Sequence, residues 1–317
     1  MKLAVVALGG NAIAPPSGPL MWTGQLDVAR RLTPLLLALH EREYRLVVTH
    51  GNGPQVGAIL SQNEIAAGEV PASPLDVLVA QSQAQIGYAL QVALLEAWGR
   101  EGWGGTPVAL VTLVAVDQKD PEFHTPSKPI GPLVPESRAR ELERLGATMA
   151  EDPRGGFRRL VPSPWPQEVL GASQIRGILE EVPLVIAAGG GGVPVVQEEG
   201  SVRGIEAVVD KDLTSSLLAT ELGAELLLLL TDVPHVYLDF GTEAERALME
   251  LTAREAEGHL LNGQFPPGTM GPKVRGAVDF LDGGGQVAII VDQAGAISAL
   301  NGEAGTRIRP GRPRTHS

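Results

Sequence analysis

The sequence has 317 residues, a formal net charge of -12 and no cysteine. This acidic balance argues against nucleic acid as a partner, because binding it requires a basic surface. The lack of cysteine excludes disulfides, thiol nucleophiles and thiolate metal sites, and the six histidines show no metal-ligand spacing. No apolar run reaches the roughly 20 residues of a membrane-spanning helix. The run that follows Met1 is too short for a signal peptide, so we expect a cytoplasmic protein without a membrane partner.

Short apolar runs alternate with helical stretches along most of the chain. The sequence predicts strands at 3–8, 46–49, 108–116, 184–188, 205–209, 226–231 and 287–291. It predicts helices at 27–42, 55–66, 75–98, 175–181, 213–222, 255–261 and 274–281, and then a last short helix. Apolar strands that alternate with helices are typical of an α/β fold with a mainly parallel sheet covered on both faces. The leucine run 226–230 is predicted to be a central strand buried on both sides.

Residues 117–170 depart from this rhythm, because they contain nine of the 25 prolines in the chain. Proline at this density disfavours helix interiors and central strands, and so long a loop in a compact domain is usually functional or disordered. The segment also contains apolar side chains that can pack, among them Phe123, Phe157 and Trp165. We therefore predict a protruding subdomain, or lid, inserted into a single domain that spans residues 1–317.

Glycine-rich turns follow strands or open helices at four places, residues 9–11, 51–54, 189–192 and 268–273. In an open parallel sheet, ligands bind at the carboxyl ends of the strands, where glycines let backbone amides approach an anion. Any one of these turns is explained by tight chain reversal, but the four together favour a polyanion such as a nucleoside triphosphate. The sequence has no Walker A pattern. Residues 51–57 loosely resemble a dinucleotide fingerprint with its third glycine displaced, so a nicotinamide-dependent oxidoreductase is the less favoured interpretation.

Lysine is rare in this chain, with five residues against 20 arginines. Lys128, Lys211 and Lys273 lie in glycine-, proline- or aspartate-rich segments. An ammonium group is a compact charge that fits where a planar guanidinium does not, so these three are candidates for contacting phosphate. Beside Lys211, Asp212 is either a helix cap or the carboxylate that orients the surrounding ammonium groups. A metal site of two carboxylates is a further option, but the sequence offers no third ligand.

These segments, taken in order, resemble the carbamate kinases of the amino acid kinase family, and the resemblance covers nearly the whole chain. The stretches specific to that group are Pro-Ser-Lys-Pro-Ile-Gly-Pro at 126–132 and Asp-Lys-Asp at 210–212, whereas the glycine turns are shared more widely. Other matching stretches lie at 7–12, 49–57, 117–121, 158–164, 189–194, 206–213, 230–233 and 268–274. Relatives that act on acetylglutamate, aspartate or UMP typically have a lysine just before the first Gly-Gly, where this chain has Ala7 and Leu8.

The resemblance implies a three-layer α/β/α sandwich, a homodimer, and reversible phosphoryl transfer in which ATP and carbamate give ADP and carbamoyl phosphate. It also implies Mg²⁺ bound to ATP or ADP rather than to a protein metal site, and a role in arginine metabolism. By position, the catalytic residues that it implies are Lys128, Lys211, Asp212 and Lys273. The residues that it implies for binding substrate and phosphate are Gly9, Gly10, Asn11, Gly51, Asn52 and Gly53. Those that it implies for binding nucleotide are Asp210, Asp232, Tyr237, Met270 and Gly271.

Two small departures from the family pattern concern the lid. Ser127 stands where the family more often has threonine, and Leu133-Val134 stands where an aromatic pair is common; neither removes a charge. Two alternative functions stay open. One is a kinase of the same family that acts on a different small carboxylate. The other is a nucleotide-binding sensor or storage protein without turnover, which the retained lysines and Asp212 argue against.

Overall fold

A computed structural model describes residues 2–9, 13, 20–102, 104–153, 155–266 and 268–311. The helices are α1 (Trp22–Glu41), α2 (Gly53–Ala66), α3 (Leu75–Glu101), α4 (Glu136–Arg144), α5 (Ala172–Glu181), α6 (Lys211–Leu222), α7 (Ala253–Leu261), α8 (Met270–Asp282) and α9 (Ala296–Leu300). The strands of the first half are β1 (Lys2–Leu8), β2 (Tyr44–His50), β3 (Val108–Ala109), β4 (Leu113–Val116), β5 (Lys128–Val134), β6 (Thr148–Glu151), β7 (Phe157–Val161) and β8 (Pro166–Leu170). Those of the second half are β9 (Leu184–Ile186), β10 (Val193–Glu198), β11 (Ser201–Gly204), β12 (Leu226–Thr231), β13 (Val236–Leu238), β14 (Arg246–Leu248), β15 (Glu250–Thr252), β16 (Val287–Asp292) and β17 (Thr306–Arg309).

An eight-stranded sheet organises the fold, in the order β15-β17-β16-β12-β1-β2-β9-β3. Its strands pair in parallel except for the antiparallel pair of β16 and β17. A parallel sheet needs cover on both faces, which explains why β1 and β12 are apolar at successive positions. The structure therefore confirms the predicted α/β fold with a mainly parallel central sheet.

The two faces of this sheet are buried by different sets of helices. Leu226, Leu228 and Leu230 pack with apolar residues of α1, α3 and α9. Leu227 and Leu229 point the other way and pack with apolar residues of α5, α6, α7 and α8. Burying each of these leucines contributes about 2 kcal/mol to the free energy of unfolding. The prediction that the leucine run is a strand buried on both sides is confirmed.

Two smaller sheets lie beside the large one and involve the proline-rich segment. A three-stranded antiparallel sheet, β5-β7-β6, forms with α4, and a four-stranded sheet has the order β11-β10-β4-β8. The backbones of β5 and α2 are in direct contact at Gly131 and Gly57, because neither residue has a side chain. A Cβ added to Gly57 would lie only 2.0 Å from Cα of Gly131. An ion pair of 2.5 Å between Arg159 and Glu64 joins β7 to the same helix. The division of the chain into a domain and a lid over 117–170 stays a prediction.

Two predicted strands are wrong in detail. The stretch 108–116 is divided between β3 in the large sheet and β4 in the four-stranded sheet, with the chain crossing between them at 110–112. The stretch 205–209 is not a strand, since β11 ends at Gly204. The Ile205 amide donates to the Pro194 carbonyl and the Val208 amide to the Pro162 carbonyl. These acceptors belong to two different segments, so the stretch does not pair with one neighbouring strand. Within the described residues, no helix is both long and apolar enough to cross a membrane.

Candidate active site

The carboxyl ends of β1 and β2 open onto the candidate site. The Gly51 amide donates to the Leu8 carbonyl over 3.0 Å, so the turn after β2 continues the pairing of the two strands. This places Gly9 and Gly51 at the same edge, as expected for neighbouring parallel strands. Gly53 then begins α2, whose N-terminus directs free amides and a partial positive charge toward that edge. Gly10 and Asn11, which we predicted to bind substrate, lie outside the described residues.

Asp212 joins two of the predicted lysines. Its Oδ1 accepts from Lys211 Nζ at 2.5 Å and its Oδ2 accepts from Lys273 Nζ at 3.0 Å. All three residues are buried, with exposed fractions of 3% for Asp212, 8% for Lys211 and 9% for Lys273. Lys211 begins α6 and Lys273 lies in the first turn of α8, so one carboxylate joins two helix N-termini. A buried charge is costly unless it is paired, and here one anion serves two cations.

Burial and pairing shift the pKa of the two lysines in opposite directions. Burial lowers the pKa of Lys211, and the nearby Lys273 ammonium lowers it further against the opposing effect of Asp212. Burial also acts to lower the pKa of Lys273, but the attraction of Asp212 outweighs it and leaves this pKa above its ordinary value. Lys211 is therefore the member of the group that loses its proton more readily.

Asp210 is the helix cap, and the alternative that Asp212 caps α6 is wrong. Oδ1 of Asp210 accepts from the amides of Asp212 and Leu213, while its Oδ2 pairs with Lys128 Nζ at 2.9 Å. The Lys128 ammonium also donates to the Val209 carbonyl at 3.3 Å. Burial raises the pKa of the Asp210 carboxyl, but Lys128 and Lys211 together hold it well below its ordinary value. The lysine of β5 is thus attached directly to the start of α6.

The three lysines line one cleft of about 410 Å³. Four cationic side chains face it, since Arg158 joins the lysines, against the two carboxylates of Asp210 and Asp212. The remaining lining residues are Gly51, Asn52, Gly53, Pro54, Gly131, Pro132, Leu133, Gly190, Val209, Gly268 and Thr269. A surplus of positive charge, helix N-termini and glycine turns suits a polyanion.

A second, mainly apolar pocket of about 220 Å³ adjoins this cleft and shares Thr269 with it. It contains three of the residues predicted to bind nucleotide, Asp232, Tyr237 and Met270. Its other lining residues are Thr231, Val233, Phe240, Gln264, Phe265 and Pro266. Gly271 lies outside this lining and instead allows close packing, because a Cβ there would lie 2.9 Å from the Pro266 carbonyl oxygen. A flat heterocycle fits such a pocket while an attached phosphate chain lies in the charged cleft.

His50 is a buried residue of the site that the sequence analysis did not single out. It ends β2, and its Nδ1 donates to the Gly51 carbonyl over 2.8 Å. Burial lowers the pKa of His50 to about 4, with a further contribution from the Lys211 charge. Next to it, the amide of Asn52 donates to the Ser82 hydroxyl at 2.9 Å. A neutral His50 and an anchored Asn52 give this turn a fixed shape.

Arg158 was also missed as a site residue, although it lies within a stretch that carried the family resemblance. Its guanidinium donates to the carbonyls of Gly131 and Pro129, both in β5, at 3.2 Å each. A guanidinium that bonds backbone carbonyls cannot be recognised from sequence spacing, since any residue provides that acceptor. Among the described residues, no group of three or more His, Cys, Asp or Glu is placed to hold a metal ion.

Comparison with known proteins assigns the chain to a family of kinases. Residues 2–292 match the profile of the amino acid kinase family. The chain is 45% identical over 311 residues to a carbamate kinase of Halobacterium salinarum, covering 98% of this chain and 99% of that protein. It is 42% identical over 311 residues to a carbamate kinase of Pyrococcus horikoshii, covering 96% and 98% respectively. The chain therefore belongs to the amino acid kinase family.

Solved structures agree with this assignment. A carbamate kinase from Giardia lamblia bound to AMP-PNP superimposes with a TM-score of 0.89 at 37% identity, covering 98% of this chain and 99% of that one. The same enzyme bound to citric acid gives a TM-score of 0.92 at 38% identity, with the same coverage. The predicted family and α/β fold are confirmed, and the individual site residues stay predictions.

Proposed function

We propose that this protein transfers a phosphoryl group reversibly between ATP and carbamate, giving ADP and carbamoyl phosphate. The observation that carries the proposal is the convergence of Lys128, Lys211 and Lys273 on one cleft that adjoins an apolar pocket. The carbamate kinases to which the chain is similar over nearly its full length support this substrate.

The nucleotide spans the two pockets in this proposal. The base lies against Tyr237 and Met270, and the phosphates extend past Thr269 into the charged cleft. Asp232, an exposed residue that lines the apolar pocket, accepts hydrogen bonds from the nucleoside in this proposal. Carbamate lies against the turn at 51–53, with the amides of Asn52 and Gly53 as donors, because the Gly51 amide already bonds the Leu8 carbonyl.

The reaction needs charge stabilisation more than proton transfer. Carbamate is already an anion at neutral pH, so its oxygen attacks the γ-phosphorus directly. The bond from that phosphorus to the β–γ bridging oxygen breaks, and the electron pair leaves with ADP. Lys211 and Lys273 stabilise the negative charge on the transferring group, and Asp212 holds both ammonium groups in place. His50 is neutral above about pH 4 and is not required as a base.

Mg²⁺ enters with the nucleotide in this proposal and neutralises part of the phosphate charge when bound. The charged cleft suits an ion held by phosphate oxygens, because its two carboxylates already pair with lysines. Lys128 approaches from β5, within the lid that we propose over 117–170. It contributes a third positive charge and helps to exclude water, which otherwise competes with carbamate for the phosphoryl group.

We also propose a cytoplasmic homodimer, acting in arginine metabolism. Three exposed apolar side chains lie on one side of α3 at helical spacing, Val77, Tyr88 and Leu95, with the exposed Gln81 between the first two. Trp22 of α1 stacks on Tyr88 with ring centroids 5.1 Å apart. Exposed apolar surface of this kind favours association with a second copy. Light scattering tests it, and a protein that remains monomeric at micromolar concentration contradicts it.

The test of the function is ATP formation from ADP and carbamoyl phosphate with Mg²⁺, coupled to a reporter enzyme. Lys211→Met is the matched control, because it keeps a long side chain and removes the charge. Losing such a contact costs about 3 kcal/mol, which is at least a hundredfold in rate. Turnover with another acyl phosphate but not with carbamoyl phosphate favours a different kinase of the family. Nucleotide binding without any turnover favours the sensor or storage alternative.

A further inference from the structure

Three consecutive hydroxyl side chains, Thr214, Ser215 and Ser216, follow the Asp-Lys-Asp segment in α6. All three residues are at most 3% exposed. Burying a hydroxyl costs free energy unless it is hydrogen-bonded, whereas an apolar side chain is buried in the protein interior without this cost. Successive helix positions point about 100° apart, so the three side chains reach different neighbours. We call them the hydroxyl run.

The first member connects α6 to a glycine turn of the cleft. Thr214 Oγ1 donates to the Gly191 carbonyl at 2.9 Å and shares its proton with the Asp210 carbonyl of its own helix at 3.1 Å. Gly190 and Gly191 have φ angles of +64° and +83°, which side-chain-bearing residues rarely adopt. A Cβ on Gly190 would lie 2.2 Å from Nδ2 of Asn52. The turn therefore packs directly against the Asn52 side chain.

The second member connects α6 to β2. Oγ of Ser215 lies 2.6 Å from Oγ1 of Thr49, which is the residue before His50. The same Ser215 oxygen donates to the Lys211 carbonyl at 2.5 Å. The start of α6 is thereby held at a fixed distance from the strand end that leads into the turn at 51–54.

The third member connects α6 to α8. Ser216 Oγ donates to the Gly276 carbonyl at 2.7 Å. Gly276 lets the helix backbones approach closely, since a Cβ there would lie 3.0 Å from the Asp212 carbonyl oxygen. Lys273 is one turn earlier on α8, so the register of this contact decides whether Lys273 reaches Asp212.

We propose that the hydroxyl run consists of positioning residues for phosphoryl transfer. Thr214, Ser215 and Ser216 fix α6, with Lys211 and Asp212 at its start, against three other parts of the cleft. Apolar contacts fill the same space but tolerate sliding, whereas a hydrogen bond fixes a distance. Displacing a catalytic group by about 1 Å lowers turnover by about a hundredfold, so this fixing affects the rate. The inference rests on the proposed function, because it assigns these residues to the same reaction.

Substitutions that separate shape from hydrogen bonding test the proposal. Thr214→Val keeps the shape and removes the hydroxyl, whereas Thr214→Ser keeps the hydroxyl. Ser216→Ala removes the link to α8. Thr220→Val is the matched control, because Thr220 lies on the same helix and its hydroxyl donates within that helix, to the Ser216 carbonyl at 3.0 Å. Steady-state kinetics are measured well below each variant's unfolding temperature.

We expect Thr214→Val and Ser216→Ala to lower kcat by about tenfold to a hundredfold, with KM values within about threefold of wild type. Thr214→Ser and Thr220→Val retain kcat within about threefold. Equal kcat in Thr214→Val and Thr220→Val overturns the proposal, as does a loss confined to KM. If Ser216→Ala does not fold, the comparison of kcat between Thr214→Val and Thr214→Ser decides whether the proposal stands.

Failure of this inference is distinguishable from failure of the proposed function. An active wild type whose variants do not follow the expected order overturns only the positioning role. A wild type that phosphorylates a different small acid overturns the substrate assignment, and the same variant ratios on that acid then decide the positioning role. A wild type without phosphoryl transfer to any acid overturns both.

Discussion

Asp212→Asn tests the central arrangement of the cleft, because it removes the one carboxylate that two buried lysines share. The variant keeps the shape of the side chain but removes the carboxylate that both ammonium groups contact, which leaves them only the weaker attraction of more distant carboxylates such as Asp210. Removing one partner of a buried ion pair costs about 3–5 kcal/mol in the free energy of unfolding. We expect a value near the lower end, about 3 kcal/mol, since Lys273 also donates to the Thr269 carbonyl at 3.4 Å.

The pH dependence of this loss gives a sharper test than its size. In wild type, Asp212 raises the pKa of Lys273, and the stability that this adds is lost as the pH rises through that pKa. Without the Asp212 charge, burial dominates at both lysines, so we expect the pKa of Lys211, already lowered in wild type, to fall further and that of Lys273 to fall below its value in the unfolded chain. The unfolded variant then binds more protons than the native one, and its stability rises with pH. The difference in the free energy of unfolding between wild type and Asp212→Asn therefore becomes smaller as the pH rises.

Urea unfolding, monitored by circular dichroism at several pH values from neutral to alkaline, measures the loss in the free energy of unfolding and its pH dependence. Glu250→Gln is the control, because it breaks an exposed ion pair with Arg309 at 2.6 Å. Such exposed pairs contribute less than about 1 kcal/mol. The reasoning is refuted if Asp212→Asn costs no more than this control, or if its cost stays constant as the pH rises.

Four further predictions concern three single side chains. Lys211→Arg should lower kcat by about a hundredfold, because a planar guanidinium does not fit the place of a compact ammonium, and near-normal turnover contradicts this. In wild type, burial lowers the pKa of Lys211. As the pH rises, kcat should therefore begin to fall at a pH below 10.5, the ordinary pKa of lysine. Lys128→Ala should lose activity while calorimetry shows ADP binding largely intact; equal loss of both is the opposing result. Burial lowers the pKa of His50 from 6.5 to about 4. The free energy of unfolding of wild type should therefore decrease by about 3 kcal/mol as the pH falls from 6.5 to about 4, because the unfolded chain binds the proton first. Urea unfolding of His50→Gln over the same pH range should lack this decrease.

The sequence predicted those parts of the fold that depend on local pattern. The leucine run 226–230 became β12 because five successive apolar residues suit a strand covered on both faces. The stretch 205–209 has similar apolar content but is not a strand. Its amides bond to Pro162 and Pro194, and those partners are fixed by the tertiary fold. Apolar content alone does not determine whether a neighbouring strand is within reach.

The candidate site shows the same division. Glycine turns and rare lysines indicated which segments meet, and the structure places Lys128, Lys211 and Lys273 in one cleft. The pairing of the charges was not predictable, since Lys128 meets Asp210 whereas Lys273 meets Asp212. Two carboxylates separated by one residue are equivalent in sequence. Only the start of α6 distinguishes them, because it turns Asp210 toward the helix amides and Lys128, and Asp212 toward Lys211 and Lys273.

The two oxygens of Asp210 have separate partners, and this makes one side chain a junction between two parts of the protein. One oxygen holds the first amides of α6, and the other holds the ammonium of Lys128. Without Lys128 in place, the carboxylate would keep its hydrogen bonds to the helix but lose its nearest cation. The electrostatic potential at the start of α6 would then be more negative. The position of β5 therefore affects the charge around Lys211 without requiring any shift of the helix.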